Sequence, residues 1–293
     1  MTSVTENRRL LMNVAYRLLG SVSEAEDAVQ EGFARWYALT PAERAAIESP
    51  AAWLVTVTTR ICLDVLGSAR ARREHYIGEW LPEPVPGGAR WTSQAVADAA
   101  ADPADRVTLD ESLSMALLVV LESMTPAERV AFVLHDVFAY TFDEVGEIVG
   151  RSPQACRQLA SSARRRIREA RRNQVSLREH ARVVAEFQAA VESGDLKALV
   201  GVLDPAAVVI ADGGGLVSAA VEPIEGATTI ARYLLDLSAL GVTFRLATVN
   251  GRVGLVGSDA SGGPLAVASV AIAHGVIERI WVTRNPEKLA AWQ

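Results

Sequence analysis

At 293 residues, half of them hydrophobic and 22% charged, the chain is long enough for two or three separate cores. No stretch approaches the roughly 18 uncharged apolar residues of a membrane span, and the start MTSVTENRRL lacks the apolar core and cleavage site of a secretory signal, so a soluble cytoplasmic protein is expected. The net charge of −6 argues against indiscriminate nucleic-acid binding, yet eight arginines crowd between Arg151 and Arg172 beside a single acid, Glu169.

In chain order, residues 1–76 read as helical. Leu10, Leu11, Val14, Leu18 and Leu19 follow helical spacing up to Gly20. Ser23 with Glu26 predicts a capping box opening a second helix through Phe33 to Trp36. Thr40-Pro41-Ala42-Glu43 and Ser49-Pro50 predict two further starts, the last helix running past Trp53 and Ile61 to Val65. Residues 77–106 hold Pro82, Pro84, Pro86, Gly87 and Gly88 and read as a linker, in which Trp80 is wasted unless it docks on something. Helices are expected again near Asp110 and at Thr125-Pro126, within a second all-helical domain over 107–173. There Thr141 with Glu144 starts a short helix, Gly150 ends it, and Ser152-Pro153 starts another reaching about Arg172, the sequence form of a helix-turn-helix. From 178 to 293 a helix near Ala181–Gly194 precedes β-branched runs at 208–210, 242–246, 265–272 and 276–282, with a tight turn at His274-Gly275. This predicts an α+β domain, a mixed antiparallel sheet with helices on one face. Cys62 and Cys156 lack metal-ligand spacing and read as reduced, buried residues, so no metal and no cofactor are expected.

The Ser152–Arg172 helix is the most informative element. Cys156, Leu159, Ala163 and Ile167 fall on one face, while Gln154, Arg157, Gln158, Ser161, Arg164, Arg165 and Arg168 lie on the other. Arginine pairs with guanine and glutamine with adenine through two hydrogen bonds each, and serine holds phosphates, so this face suits duplex DNA. A solvated basic surface has the same pattern, and the rest of the chain decides between them. The segment Ala15 to Gly20 followed by Glu24, Glu26, Asp27, Gln30, Glu31 and Phe33 resembles the polymerase-binding region of extracytoplasmic-function (ECF) sigma factors. Ala52-Trp53-Leu54 through Arg60, Leu63, Asp64 and Arg70, Arg72 and Arg73 resembles their promoter-melting region. Cys156 to Ser161 is similar to their second DNA-binding domain. The resemblance implies that Asp27, Gln30, Glu31 and Phe33 dock on core RNA polymerase. It implies that Trp53, Arg60, Asp64, Arg70, Arg72 and Arg73 serve the minus-ten element, and that Ser152, Gln154, Arg157, Gln158, Ser161, Arg164 and Arg165 serve the minus-thirty-five element. Trp53 keeps a second reading as a core tryptophan.

Three further segments, Trp80-Leu-Pro82-Glu83-Pro84, Asp212-Gly213-Gly214-Gly215 and Asn285-Pro286-Glu287-Lys288-Leu289, resemble the ECF subgroup with a SnoaL-like C-terminal extension, to which SigJ-type factors belong. That implies a cone-shaped SnoaL or ketosteroid-isomerase fold controlling the sigma domains. The family's glycine loop continues into lysine, where this chain has Leu216. Enolisation needs a carboxylate base and donors facing one apolar cavity. Asp212, Glu222, Asp236 and Glu278 are the acidic candidates, none paired with a donor, and His274 falls in a turn, so a regulatory domain, with room for a small-molecule ligand, is expected over an enzyme. The expected contact joins Trp80 and its prolines to the Asp212 loop or to the Asn285–Leu289 segment. A repressor with a ligand domain, or a cyclase with a DNA-binding appendage, would have no use for the Asp27–Phe33 surface.

Overall fold

The computed structural model describes residues 4–73, 76–87, 89, 91, 113–171, 174–217 and 222–293. They fall into two compact units: the helices up to Glu169 form one, and residues 76–87 join the C-terminal region in the other.

The helical unit begins with α1 (Val4–Leu19), α2 (Val22–Ala38), α3 (Pro41–Ala46) and α4 (Pro50–Arg73). Gly20 ends α1 in the left-handed conformation, φ 71°. The chain is then extended at Ser21, whose hydroxyl accepts from Glu24 N–H. The cap therefore sits two residues before the expected Ser23 and Glu26, because Gly20 has already turned the chain and Ser21 is the first extended residue. The buried face of α2 carries Ala25, Ala28, Val29 and Gly32. At Gly32 a methyl group would lie 2.5 Å from Thr58 Oγ1, so glycine sets the close crossing of α2 and α4. Over Pro50–Ser68, α4 is long and apolar enough by length and composition to cross a membrane, but it carries Arg60 and Asp64 and packs against α1 and α2.

The unit continues with α5 (Met115–Glu122), α6 (Pro126–Phe132) passing into a π turn at Val133–Val137, α7 (Phe142–Val149) and α8 (Pro153–Arg171). Thr40, Thr125 and Thr141 each form a full capping box with the glutamate three residues on. Gly150, φ 70°, caps α7. A side chain at Gly146 would meet the Arg151 carbonyl at 2.7 Å, so the turn into α8 closes only over glycine. Cys62 and Cys156 are free and buried. The expected helix start near Asp110 and the linker beyond residue 91 lie outside the described residues.

The second unit holds α9 (Leu177–Ser193), α10 (Leu196–Val202), β1 (Leu203–Asp212), β2 (Ile224–Glu225), α11 (Ala227–Ala239), β3 (Thr243–Val249), β4 (Arg252–Ser258), β5 (Pro264–Ala273) and β6 (Val276–Thr283). The sheet order is β2-β1-β6-β5-β4-β3, with β1 and β6 parallel and every other pair antiparallel. Helices α9 to α11 cover one face through Val183, Phe187, Leu199 and Ile230, packed on Val209, Leu255, Val270 and Ile280. The opposite face buries Val249, Val256 and Val267 with Leu289. This is the α+β architecture that the SnoaL resemblance implied. His274 and Gly275, at φ 52° and 79°, make the expected β5–β6 turn. Strand β4, with α10, α11 and β2, goes beyond the predicted elements.

Candidate functional site

On α2 the exposed face carries Asp27, Gln30 and Glu31, opposite the buried Ala28 and Val29. Glu31 accepts from Arg35 Nε at 2.8 Å, and the half-buried Phe33 ring stacks on Tyr37 at 6.4 Å. This surface is anionic with an aromatic rim, suited to a basic partner. On α4, Trp53 is half-buried and its ring centre lies 5.3 Å from that of Trp36, a partner that went unremarked in the sequence. Asp64 and Arg60 are exposed. Arg60 Nη2 donates to the Glu147 carbonyl of α7 at 2.8 Å. Arg70, Arg72 and Arg73 complete the α4 backbone, and their side chains lie outside those described.

The outer face of α8 presents Ser152, Gln154, Arg157, Gln158, Ser161 and Arg165 to solvent, while Cys156, Ala160, Ala163 and Ile167 are buried and Leu159 is half-buried. Ser152 Oγ accepts from Ala155 N–H and caps the helix. The two candidate base readers expected to act alike have different surroundings. The Arg157 guanidinium lies 5.5 Å from the centre of the Phe142 ring, against which His135 also stacks at 3.8 Å. Arg164, half-buried, is ion-paired through Nε to Asp136 at 2.5 Å. Arg157 is thus steered yet exposed, whereas Arg164 is tied into its own domain.

Residues 76–87 dock on the C-terminal sheet around one buried carboxylate. Asp212, at the end of β1, has no exposed surface. Its Oδ1 accepts from Tyr76 OH at 2.6 Å and from Gly214 N–H at 3.0 Å. Its Oδ2 accepts from Leu81 N–H at 3.0 Å and from Lys288 Nζ at 2.7 Å. Lys288 also donates to the Leu81 carbonyl at 2.5 Å and sits 4.2 Å from the centre of the Trp80 ring and 5.4 Å from that of Tyr76. The cation that meets this carboxylate is therefore Lys288, and Leu216 after the glycines is exposed. Burial pushes the Tyr76 phenol well above its usual range, and the hydrogen bond to Asp212 adds to the shift.

The glycines are needed for approach: Gly214, at φ 64°, would place a methyl group 2.4 Å from Asn285 Nδ2. Gly213 is buried beside it and Gly215, at φ 71°, completes the turn. Asn285 donates to Tyr76 OH at 3.1 Å and accepts from Glu287 N–H, starting the short turn Pro286–Lys288. Leu81, Pro82, Glu83, Pro84 and Val85 are all buried. Trp292 Nε1 donates to the Pro84 carbonyl at 2.9 Å, Val85 N–H to Asn250 Oδ1 at 3.0 Å, and Gly87 N–H to the Thr248 carbonyl at 2.8 Å. Tyr76, Asn250 and Trp292 are participants that sequence reasoning missed. Further on, Trp91 belongs to the helical unit, its ring 5.1 Å from that of Tyr16.

Beneath the helices of the C-terminal unit is a cavity of about 90 Å³ with an apolar lining. Among the described residues lining it there is no carboxylate; Ala211 faces it, and Asp212 is directed instead to the linker. Glu222, Asp236 and Glu278 do not line it either, and His274 is in the β5–β6 turn.

The family model described as sigma-70 region 2 matches residues 4–72, and that of sigma-70, region 4 matches residues 114–167. The chain is 39% identical over 298 residues to the ECF RNA polymerase sigma factor SigJ of Mycobacterium tuberculosis, spanning 96% of this chain and 90% of that protein. To the probable ECF RNA polymerase sigma factor SigI of the same organism it is 40% identical over 200 residues, 68% of this chain and 65% of that one. The crystal structure of M. tuberculosis SigJ aligns over 99% of both chains, with a TM-score of 0.73 and 34% identity.

Proposed function

The chain belongs to the ECF sigma factors, of the SigJ type, and from that membership we propose that its C-terminal domain regulates promoter use by holding the connector between the two sigma regions. A sigma factor directs core RNA polymerase to specific promoters, so core enzyme and promoter DNA are the partners. The finer assignments are our own: Asp27, Gln30, Glu31 and Phe33 for polymerase, Trp53, Arg60 and Asp64 with Arg70, Arg72 and Arg73 for the minus-ten element, and the outer face of α8 for the minus-thirty-five element. The domain acts as a regulator in the cytoplasm, without turnover; the direction of Asp212 away from the cavity supports this.

The observation that carries the regulatory reading is the buried Asp212 carboxylate, shared by linker groups Tyr76 and Leu81 and by Lys288. A connector fixed over residues 76–87 samples far fewer separations than a free one, and the effective concentration of one DNA-binding region near the other promoter element changes with it. Run-off transcription with purified core polymerase tests this. A chain truncated after residue 175 is expected to differ from the full chain at a cognate promoter; equal activity of the two removes the regulatory reading.

The α8 assignment separates its two half-similar arginines. Arg157→Ala is expected to weaken promoter binding by about 1–3 kcal/mol, the worth of a bidentate base contact, with the unfolding midpoint of the protein unchanged. Arg164→Ala is expected to lower that midpoint, because it leaves Asp136 without its 2.5 Å ion-pair partner. Promoter binding unaffected by Arg157→Ala would reject the base-reading role.

A further inference from the structure

The backbone is irregular just before the helix-turn-helix. In the π turn that follows α6, Phe138 N–H donates to the carbonyl of Val133, five residues back, at 3.2 Å, and Tyr140 N–H donates to that of Leu134 at 2.9 Å. Between them Ala139 has φ 61°, a conformation uncommon for a residue with a Cβ. Turns of the π type are rare and recur at functional sites.

Two consecutive side chains of that turn lead to α8. Asp136 pairs with Arg164 Nε at 2.5 Å. His135 acts through a ring. Its Nδ1 lies 2.7 Å from the Tyr140 carbonyl, and since a carbonyl only accepts, Nδ1 carries the hydrogen and the imidazole is held in one orientation. The imidazole stacks on Phe142 with centres 3.8 Å apart and 22° between the planes. Phe142 is fixed from its backbone side as well. It is the first residue of α7, directly after Thr141, whose capping box with Glu144 is complete. The Arg157 guanidinium lies 5.5 Å from the centre of this doubly held ring.

Arg157 is exposed and Phe142 half-buried, so their contact adds little to the stability of the fold. Its effect is on freedom: a long side chain that samples many rotamers in solvent is kept over one surface. Arg157 stands in the N-terminal part of α8, where a recognition helix meets base edges. We propose that Phe142 is a positioning residue for the minus-thirty-five element: its ring, stacked on His135, holds the Arg157 guanidinium ready for a bidentate base contact. This rests on the assignment of Arg157 as a base reader and adds the residue that sets its direction. Ordering the guanidinium beforehand lowers the entropy lost when the contact forms.

Holoenzyme assembled from the full-length chain and core polymerase is used to select duplexes from a promoter library randomised at the minus-thirty-five element, and affinities are measured on the selected fragments. Arg157→Ala is expected to flatten the base preference at the position it reads. Phe142→Leu is expected to weaken binding about two- to fivefold, the range of an exposed cation–π contact, with the lost preference confined to that same position. Phe142→Met, closer in length to phenylalanine, is expected to act alike and covers failure of the leucine variant to fold. Phe142→Tyr, which keeps the ring face, is expected to retain both affinity and preference. Arg157→Ala combined with Phe142→Leu is expected to bind as Arg157→Ala alone, because the ring acts only through that arginine. Preference unchanged in the leucine and methionine variants, a loss spread evenly over the element, or factors that multiply in the double variant each overturns the inference. Those outcomes leave base reading by Arg157 standing, since Arg157→Ala judges it alone. Wild-type preference in Arg157→Ala removes the base reader and the inference with it.

Discussion

Lys288→Ala is expected to release residues 76–87 from the C-terminal sheet, at a cost of about 3–5 kcal/mol, the range found when one member of a buried ion pair is removed. Asp212 is wholly buried and the Lys288 side chain is 10% exposed, so solvent does little to screen the loss. Without the ammonium, the Asp212 carboxylate retains Tyr76 OH and the Leu81 and Gly214 amides but carries an uncompensated charge. The Leu81 carbonyl loses its donor at the same time, and the Trp80 and Tyr76 rings lose the cation beside them. Faster exchange of the Leu81 and Gly87 amides is the direct readout, and altered run-off transcription is the functional one. Asp212→Asn alone also harms this latch, the clasp of Asp212 and Lys288 on residues 76–87, since an amide nitrogen on either side would face an existing donor. The double variant Asp212→Asn with Lys288→Met removes both charges and is expected to be less damaged than the sum of the single changes, by about 0.5–3 kcal/mol. Strict additivity would mean that the two groups do not act as a pair.

What could be read from the sequence divides along the range of the interactions. Capping boxes depend on residues three apart, and Thr40, Thr125 and Thr141 all form as spelled. The outer face of α8 was legible for the same reason, as helical periodicity is local. At Ser21 and Ser23 two candidate caps share one spacing, and the choice between them is made by the left-handed Gly20 just before. Strand β4 was hidden by Gly254 and Gly257, which weaken any strand pattern; at Gly254 a methyl group would sit 2.4 Å from the Ala268 carbonyl of the neighbouring strand. Its signal was Asn250-Gly251, at φ 50° and 76°, the dipeptide favoured in two-residue hairpins. The latch was half legible. Its three motifs stand out, but Tyr76 and Trp292 meet partners 136 and 208 residues away, and no local rule selects them.

The pentapeptide Thr-Pro-Ala-Glu-Arg occurs twice, and its two arginines make opposite predictions. Arg44 is partly exposed, whereas Arg129 is 2% exposed. Arg129 Nη1 donates to the Leu18 carbonyl in the last turn of α1 and to Glu122 Oε1, both at 2.7 Å. It thus satisfies a carbonyl that the end of α1 leaves without an intrahelical donor, and it ties the first helices of the unit to the later ones. Burial pushes its pKa down to about 10, which leaves the guanidinium charged at neutral pH. Arg129→Met is therefore expected to destabilise the helical unit by about 3–5 kcal/mol, as it removes both the donor to the buried Leu18 carbonyl and the 2.7 Å ion pair with Glu122. Arg60→Ala also breaks a tie between early and late helices, its bond to Glu147, but that guanidinium is exposed and the change should stay within about 0.5 kcal/mol. Urea unfolding of the two variants gives the comparison. If Arg129→Met unfolds at the same midpoint as Arg60→Ala, the buried guanidinium is not what joins the two sigma regions, and their packing rests on the other contacts between them.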